Sequence, residues 1–301
     1  MSARVRVVVL PVAGLGTRFL PVTKAVPKEM LPLVDRPILA YIAAEAVAAG
    51  IERIVLVTAR GKGAIEDYFD RSPELERHLE QAGKTDLLYA VREAASMATV
   101  VTIRQPESRG LGHAVLAARP LVPPGEPFAV MLGDEVMVGP DPALGRVLAE
   151  HQAHGRSVVG LVEVPPDQTH RYGICVGAPY PGAGRDPAAL ALTQMVEKPP
   201  PGTAPSALAI VGRYVCTPDL WDELAVLGPG AGGEIQLTDG LARQAARGGV
   251  TGLLLPHRRF DTGNPLGLLE AAMHLAHARP DLRDGVREIC RQILSTPLDE
   301  P

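Results

Sequence analysis

The chain has 301 residues, of which 46% are hydrophobic and 21% charged, a composition typical of a folded globular protein. Its formal net charge is −4 and no basic stripe is present, which argues against a nucleic-acid partner. No apolar stretch approaches the roughly 20 residues that span a bilayer, and no signal peptide is seen, so we expect a cytoplasmic protein without a membrane partner. Three widely spaced cysteines match neither a disulfide framework nor a metal motif: Cys175, Cys216 and Cys290.

The first half of the chain alternates short β-branched runs with helical patterns. Strands are predicted at residues 5–12, 53–58, 100–104 and 128–132, and helices at residues 37–49, 112–118 and 140–154. These strands are almost entirely apolar, as expected when helices cover both faces of a sheet. The alternation of strands and helices along the chain predicts a Rossmann-like α/β fold with a doubly wound and mostly parallel sheet. Ligands of such sheets bind at the carboxyl ends of strands, where Gly14, Gln105 and Asp134 fall.

The second half has strands separated by Pro- and Gly-rich segments. Strands are predicted at residues 158–164, 172–176, 192–196 and 208–215, and helices at residues 234–247, 266–278 and 282–294. We interpret this region as an antiparallel extension laid over the first half. The prediction is a single domain at residues 1–280, with halves at 1–155 and 156–265. A C-terminal helix and tail follow at residues 281–301.

The most informative segment is VVLPVAGLGTR at residues 8–18, followed by PKEMLP at residues 27–32. A strand that runs into Gly-x-Gly lets backbone N–H groups approach phosphate oxygens, and Arg18 and Lys28 add two cations that suit a triphosphate. The alternative is a dinucleotide fingerprint, but its third glycine position holds Phe19 and a proline-containing loop follows. The second predicted strand also lacks an acidic residue at its end. A dehydrogenase that uses NAD is therefore disfavoured.

Further motifs follow in order: RQPESRGLGHAV (104–115), LGDE (132–135), RYGI (171–174), VEKP (196–199), AIVGRYV (209–215), GGEIQLTD (232–239) and DTGN (261–264). With the glycine loop, they resemble the bacterial UTP–glucose-1-phosphate uridylyltransferases over roughly residues 5–275. The loop alone indicates only the wider sugar-nucleotide pyrophosphorylase superfamily, whereas GLGHAV with GGEIQLTD narrows the resemblance to this branch. The resemblance implies an enzyme that converts UTP and glucose 1-phosphate into UDP-glucose and pyrophosphate, with Mg²⁺ as cofactor.

The resemblance also implies roles for individual residues. Asp134 and Asp261 would hold Mg²⁺, a hard cation that prefers oxygen ligands. The catalytic cations would be Arg18, Lys28 and Lys198, the last contacting the phosphate of the sugar 1-phosphate. The nucleotide-binding residues would be Ala13, Gly14, Gly16, Gln105, Gly110 and Gly112, with the Gln105 amide offering a donor and an acceptor to uracil. The sugar-binding residues would be Glu29, Gly173, Glu197 and Gly212.

Simpler interpretations of these residues remain open. Asp134 could be a turn residue, Asp261 could cap the following helix, and Lys198 could be an exposed lysine before a proline turn. Because the substrate supplies its own nucleophile, the lack of a persuasive Ser/His/Asp constellation fits this chemistry. Rival functions are a nucleotidyltransferase using thymidine triphosphate or another sugar, and a non-catalytic sugar-nucleotide-binding regulator. We expect a homodimer or homotetramer.

Overall fold

The computed structural model describes residues 3–180 and 186–295, so residues 296–301 of the predicted tail lie outside it. Its strands are β1 (Val7–Pro11), β2 (Pro32–Leu33), β3 (Arg36–Pro37), β4 (Arg53–Thr58), β5 (Thr99–Arg104), β6 (Phe128–Met131), β7 (Glu135–Val138), β8 (Ser157–Glu163), β9 (Gly173–Pro179), β10 (Ala189–Glu197), β11 (Leu208–Cys216), β12 (Val250–Leu254) and β13 (Arg258–Asp261). Its α-helices are α1 (Ile38–Ala48), α2 (Gly63–Phe69), α3 (Pro73–Gln81), α4 (Thr85–Ser96), α5 (Leu111–Ala117), α6 (Ala143–His154), α7 (Leu220–Ala225), α8 (Leu237–Ala245), α9 (Pro265–Ala278) and α10 (Arg283–Ser295).

The central sheet of the described residues has the strand order β5-β4-β1-β6-β11-β8-β12-β10-β9. The four strands β5, β4, β1 and β6 are parallel to one another. The chain builds outward from β1 to β4 and β5 and then crosses to the other side of β1, where β6 lies. This reversal makes the gap beyond the carboxyl ends of β1 and β6 a topological switch point, where ligands of such sheets bind.

The prediction of a mostly parallel sheet is wrong for the sheet as a whole. Four strand pairs are parallel and five are antiparallel. The β9–β10 pair illustrates the reason, because only residues 180–188 join these two strands. A parallel pair needs a crossover of about a dozen residues or more, so a shorter connection favours antiparallel pairing. The fold is a mixed α/β fold around this central sheet.

The predicted extension does not lie over the first half of the chain. Strand β11 pairs directly with β6, Tyr214 lying opposite Val130, and β9 and β10 continue the same sheet at its far end. The two predicted halves therefore share one sheet. Alternate residues of the strands face opposite sides of it. Val8 and Leu10 of β1 belong to one buried cluster, while Val7 and Val9 belong to the other. Each face of the sheet therefore carries a buried apolar cluster.

Most predicted strands and helices are present, with shifted ends, whereas the helices α2, α3, α4 and α7 and the strands β2, β3, β7, β12 and β13 were not predicted. The helix predicted at residues 234–247 begins only at Leu237, because the preceding residues bond elsewhere. Ile235 N–H donates to the Arg109 carbonyl and Ile235 O accepts from Gly112 N–H, both at 2.8 Å. The three cysteines are free thiols. Within the two described ranges, no helix is long and apolar enough to cross a membrane.

Candidate active site

Two carboxylates meet at the carboxyl edge of the sheet. Asp134 follows β6 and precedes β7, and Asp261 ends β13, which pairs with β7 so that Asp261 lies opposite Glu135. A Cβ atom built on Gly263 would lie 2.8 Å from Asp134 Oδ2 and 3.1 Å from Asp261 Oδ1. Both carboxylates therefore face the same small space, which any side chain at residue 263 would fill.

The structure excludes the capping role considered for Asp261. The N-cap of α9 is Asn264, whose side chain accepts a hydrogen bond of 3.0 Å from Gly267 N–H. Asp261 instead accepts from Gly263 N–H at 3.1 Å. The residue after Asp261 is hydrogen-bonded to Asp134: the Asp134 carbonyl accepts from both the backbone N–H and the hydroxyl of Thr262. The geometry holds the two carboxylates in a fixed relation.

Three cations surround the carboxylate pair. Lys28 Nζ donates to Asp134 Oδ2 at 2.5 Å, and Arg171 Nη2 donates to Asp261 Oδ2 at 3.1 Å. Arg18 Nη1 donates to the Gly263 carbonyl at 3.3 Å. Burial lowers the pKa of Lys28, but the charge of Asp134 and its hydrogen bond more than offset this, and the pKa is raised. Lys28 is therefore a fixed positive charge beside the carboxylates.

The pair suits a hard divalent cation because its donors are carboxylate oxygens. Among the described residues, no group of three or more His, Cys, Asp or Glu side chains could hold a metal ion. The protein would thus supply two carboxylates, and water and phosphate oxygens would supply the remaining ligands, as Mg²⁺ usually requires. Asp134 and Asp261 are partly exposed, with 25% and 21% of their side chains accessible, so substrate oxygens can reach them.

The glycine loop extends over these carboxylates. It contains short 3₁₀ helices, at Thr17–Phe19, Val22–Lys24 and Lys28–Met30, and no immediate α-helix follows β1. Gly16 has a φ of 66°, a conformation that favours glycine, and its carbonyl accepts a hydrogen bond of 2.8 Å from the Thr23 hydroxyl. A Cβ atom on Gly14 would contact Lys28 Cε at 3.7 Å. Gly14 therefore brings its exposed backbone close to the lysine, whereas the side chain of Ala13 is buried.

Glu29, predicted to bind the sugar, is buried and paired with a lysine. It is only 1% exposed, and its carboxylate accepts a hydrogen bond of 2.8 Å from Lys62 Nζ, itself buried. Burial raises the pKa of Glu29, and the charges of Lys62 and Lys28 offset only part of that rise. A Cβ atom on Gly133 would lie 3.4 Å from Glu29 Cγ, so the acid lies beneath the segment that carries Asp134. Its contact with substrate stays a prediction.

Gln105, predicted to bind the nucleotide, follows β5 at the same sheet edge. Its backbone N–H donates to the Thr58 carbonyl at 2.8 Å, and its side chain is 7% exposed. Gly110 and Gly112 pack closely against the segment that precedes α8. A Cβ atom on either would lie within 3.0 Å of Ile235 or Gln236 backbone atoms. At these glycines the GLGHAV segment packs against the GGEIQLTD segment. A contact of the base or ribose with their backbone stays a prediction.

On the other side of the carboxylates, Glu197, Gly173 and Thr238 form a cluster. Thr238 Oγ1 donates to Glu197 Oε2 at 2.6 Å, and a Cβ atom on Gly173 would lie 3.1 Å from that same carboxylate oxygen. Lys198 is exposed, with a φ of 44°, and its backbone N–H donates to the Tyr172 carbonyl at 3.0 Å. Because Tyr172 follows Arg171, this cluster adjoins the ion pair at Asp261. Thr238 was not predicted as a site residue.

Two buried polar groups near the site also escaped sequence reasoning. Glu135 forms a two-pronged ion pair with Arg259 at 2.8 and 3.0 Å, and its Oε2 atom accepts from Gly212 N–H at 3.0 Å. Burial lowers the pKa of Arg259, but the charge of Glu135 outweighs it and the net change is upward. Arg213 is fully buried and pairs with Glu45. Glu135 lies beside Asp134 in the sequence, but nothing in the spacing indicated its partner.

Gly212 contacts protein on the side where its Cβ atom would point. That atom would lie 2.6 Å from Leu132 Cβ, and Leu132 N–H donates to the Gly212 carbonyl at 3.1 Å. The close approach that requires glycine at residue 212 is thus between β11 and the segment leading to Asp134. A contact between Gly212 and the sugar stays a prediction.

Residues 7–278 match the model of the nucleotidyl transferase family. The chain is 48% identical over 281 residues to a UTP–glucose-1-phosphate uridylyltransferase of Bacillus subtilis, covering 93% of this chain and 94% of that protein. A UTP-bound UGPase from Acinetobacter baumannii has a TM-score of 0.84 and 39% identity, covering 97% of this chain and 100% of that one. A UDP-glucose pyrophosphorylase complexed with UDP-glucose has a TM-score of 0.82 and 36% identity, with coverages of 91% and 100%.

Proposed function

Because the chain belongs to the nucleotidyl transferase family, and within it to the UTP–glucose-1-phosphate uridylyltransferases, we propose that it makes UDP-glucose and pyrophosphate from UTP and glucose 1-phosphate. The observation that carries this proposal is the convergence of Asp134 and Asp261 on Gly263, with Lys28 and Arg18 on one side and Arg171 on the other. Retention of this charged set argues against a non-catalytic binding protein.

The reaction joins two anionic substrates. A phosphate oxygen of glucose 1-phosphate attacks the α-phosphorus of UTP, the bond between the α-phosphorus and its bridging oxygen breaks, and pyrophosphate leaves with the electron pair. The protein therefore needs to position the substrates in line and to neutralise charge, and it needs no nucleophile of its own. Arg18 and Lys28 bind the triphosphate, while Lys198 binds the attacking phosphate. A Mg²⁺ ion held by Asp134 and Asp261 would supply further charge neutralisation between the two substrates.

The two flanks of the carboxylates bind the parts of the substrates that do not react. Gln105 binds the uracil edge, and the exposed backbone around Gly14 and Gly16 faces the phosphates. Glu197, held by Thr238, accepts hydrogen bonds from sugar hydroxyls, and Gly173 leaves room beside it. Lys198 is adjacent to Glu197, so one strand end carries contacts to both the sugar and its phosphate.

A pyrophosphate-release assay over a matrix of nucleoside triphosphates and sugar 1-phosphates tests the function. We expect UTP to be preferred over ATP, CTP and GTP with glucose 1-phosphate. Equal or faster turnover with ATP or CTP would exclude the uridylyl assignment while leaving a nucleotidyltransferase. Thymidine triphosphate discriminates less, because thymine and uracil share the same pairing edge, and it is included to rank that rival directly.

We further propose that the protein is cytoplasmic and associates with copies of itself. The free thiols fit a reducing compartment. Helix α10 is amphipathic, and Ile289, Ile293 and Leu294 are 56%, 65% and 87% exposed. Burial of these side chains between copies would remove apolar surface from water. Light scattering coupled to gel filtration distinguishes a monomer from the expected dimer or tetramer.

A further inference from the structure

His113 lies beside the base-reading residue in a way that the proposed function does not yet use. It belongs to the first turn of α5, and its ring Nδ1 atom lies 2.9 Å from Gln105 Nε2. Gln105 Nε2 also lies 3.3 Å from the carbonyl oxygen of Gly110. The amide nitrogen thus has two neighbours, and both belong to the GLGHAV motif.

These two neighbours fix the orientation of the amide. A backbone carbonyl can only accept, so the NH₂ group of Gln105, and not its oxygen, must face Gly110. The second N–H then faces His113 Nδ1, which accepts when the ring proton sits on Nε2. Among the described residues no hydrogen bond reaches Gln105 Oε1. The amide therefore keeps its oxygen, an acceptor, for a ligand.

The segment that holds His113 is rigid. Gly112 N–H donates to the Ile235 carbonyl, and Ile235 N–H donates to the Arg109 carbonyl, both at 2.8 Å. A Cβ atom on Gly110 would lie 2.7 Å from Ile235 O, so the turn before α5 is closely packed against the segment leading to α8. The backbone that leads to His113 is therefore held in place, and it brings the ring next to Gln105, which is itself buried.

We propose that His113 is a positioning residue that sets base selectivity by holding the Gln105 amide with its oxygen free for the base. This inference rests on the proposed uridylyl transfer, with Gln105 at the base. Uracil carries an N–H at N3, which an amide oxygen accepts. Cytosine has an unprotonated N3 atom, which repels that oxygen and would instead require the amide NH₂ group. An amide that is free to rotate can serve both bases, whereas a fixed one favours uracil.

Two nearly isosteric variants separate this role from simple packing. His113→Leu removes the acceptor, while His113→Asn places a carbonyl oxygen near the position of Nδ1. We expect the ratio of kcat/KM for UTP to that for CTP to fall about fivefold or more in His113→Leu, the scale of losing one neutral hydrogen bond. His113→Asn should keep the ratio within about twofold of the wild type. His113→Ala, which also lacks an acceptor and favours helix, replaces His113→Leu if that variant fails to fold.

The outcomes distinguish this inference from the proposed function. A wild-type enzyme that prefers UTP, with an unchanged UTP-to-CTP ratio in His113→Leu or His113→Ala, would overturn the role of His113 and leave the proposed function standing. Loss of selectivity in His113→Asn equal to that in His113→Leu would also overturn it, because the acceptor would then be irrelevant. A wild-type enzyme that uses CTP as well as UTP would overturn both proposals.

Discussion

The two ends of the central sheet build their parts of the candidate site differently. At the parallel end, formed by β5, β4, β1 and β6, the site uses loops that directly follow strands, with exposed residues such as Gly14 and Arg18. At the mixed end, the site depends on polar side chains that pair across the chain. Thr238 and Glu197 at the end of β10, for example, are separated by 41 positions. The first arrangement is local in sequence and the second is not.

This difference assigns different physical tasks to the two ends. Under the proposed function, the parallel end would present backbone and cations to a flexible, highly charged triphosphate, which suits exposed loops on fixed strand ends. The mixed end would hold the sugar and its phosphate beside the carboxylates. Its side chains are positioned by neighbours: Thr238 holds Glu197, and Arg171 pairs with Asp261. Variants that remove one partner of such pairs test whether positioning or simple charge matters more at each end.

The largest effect is expected at Arg213, which lies where the two ends meet. Its guanidinium is fully buried and pairs with Glu45 of α1, and it also donates at 3.0 Å to the Glu135 carbonyl. Arg213→Met would leave the Glu45 carboxylate, whose side chain is only 11% exposed, without its cationic partner, at a cost of roughly 3–5 kcal/mol in the free energy of unfolding. Denaturant unfolding of wild type and variant measures this change.

The control for Arg213 removes both charges. The double variant Glu45→Leu with Arg213→Met should recover much of the lost stability, because no buried charge is then left unpaired. If Arg213→Met unfolds at the same denaturant concentration as the wild type, the Arg213–Glu45 ion pair does not stabilise the junction between the two ends of the sheet. The comparison of the two ends would then have no support from this pair.

The second prediction concerns the carboxylates that both ends share. Asp134→Asn and Asp261→Asn should each reduce kcat by roughly 10²-fold or more, the scale of losing one preorganised electrostatic element. Because these ion pairs are partly exposed, the stability change should stay below about 1 kcal/mol. Steady-state kinetics and thermal melting measure the two quantities.

Asp284→Asn is the matched control, since that side chain is 95% exposed on α10, and it should behave as wild type. Chelation of divalent metal should abolish turnover of the wild-type enzyme and restoration of Mg²⁺ should return it. Full activity of Asp261→Asn would leave Asp134 as the sole functional carboxylate, and full activity in excess EDTA would exclude a metal-assisted reaction.

The difference between local and non-local contacts at the two ends of the sheet also explains how much of the molecule can be predicted from the sequence. Residues 53–58 were predicted as a strand and form β4 with the same bounds, because a fully buried parallel strand is an unbroken apolar run. Asp134 and Gln105 were placed at the sheet edge because each follows such a run. Periodicity could not reveal β7 and β13, which have four residues each and form their own two-stranded sheet.

Non-local contacts account for the remaining differences. Gly110 and Gly112 were predicted to let the nucleotide lie against their backbone, and the sequence did not indicate that a Cβ atom on either would meet residues 234–236, a contact that no local pattern encodes. The helix predicted from residue 234 begins later for the same reason. Glu29 was identified by resemblance, and its burial with Lys62 depends on two segments 33 positions apart. Resemblance to a family identifies residues near a site, whereas the packing of the folded chain determines which of their atoms can contact a ligand.

The third prediction tests the exposed end of β10. If Lys198 binds the attacking phosphate, Lys198→Ala should lower kcat/KM for glucose 1-phosphate by about one to two decades, since a charge-assisted contact contributes roughly 1.5–3 kcal/mol. The KM for UTP should change much less. Lys84, an exposed lysine between α3 and α4, is the control, and Lys84→Ala should leave both constants unchanged. Wild-type kinetics toward the sugar phosphate in Lys198→Ala would identify Lys198 as a surface lysine.

The smallest effect is expected at Thr238, where only positioning is altered. Its hydroxyl donates to Glu197 Oε2 at 2.6 Å, while Glu197 Oε1 faces Lys198 Nζ at 3.6 Å. Thr238→Val keeps the shape and removes the donor, so the Glu197 carboxylate loses one of the contacts that fix it. The KM for glucose 1-phosphate should rise about fivefold, because water can partly replace the hydroxyl and the net loss is about 1 kcal/mol. Thr238→Ser keeps the hydroxyl and should restore a KM close to that of the wild type. A rise in the KM for UTP of the same size would instead mean that Thr238 supports the whole site rather than the sugar pocket, and the functional division between the two ends of the sheet would then fail at this residue.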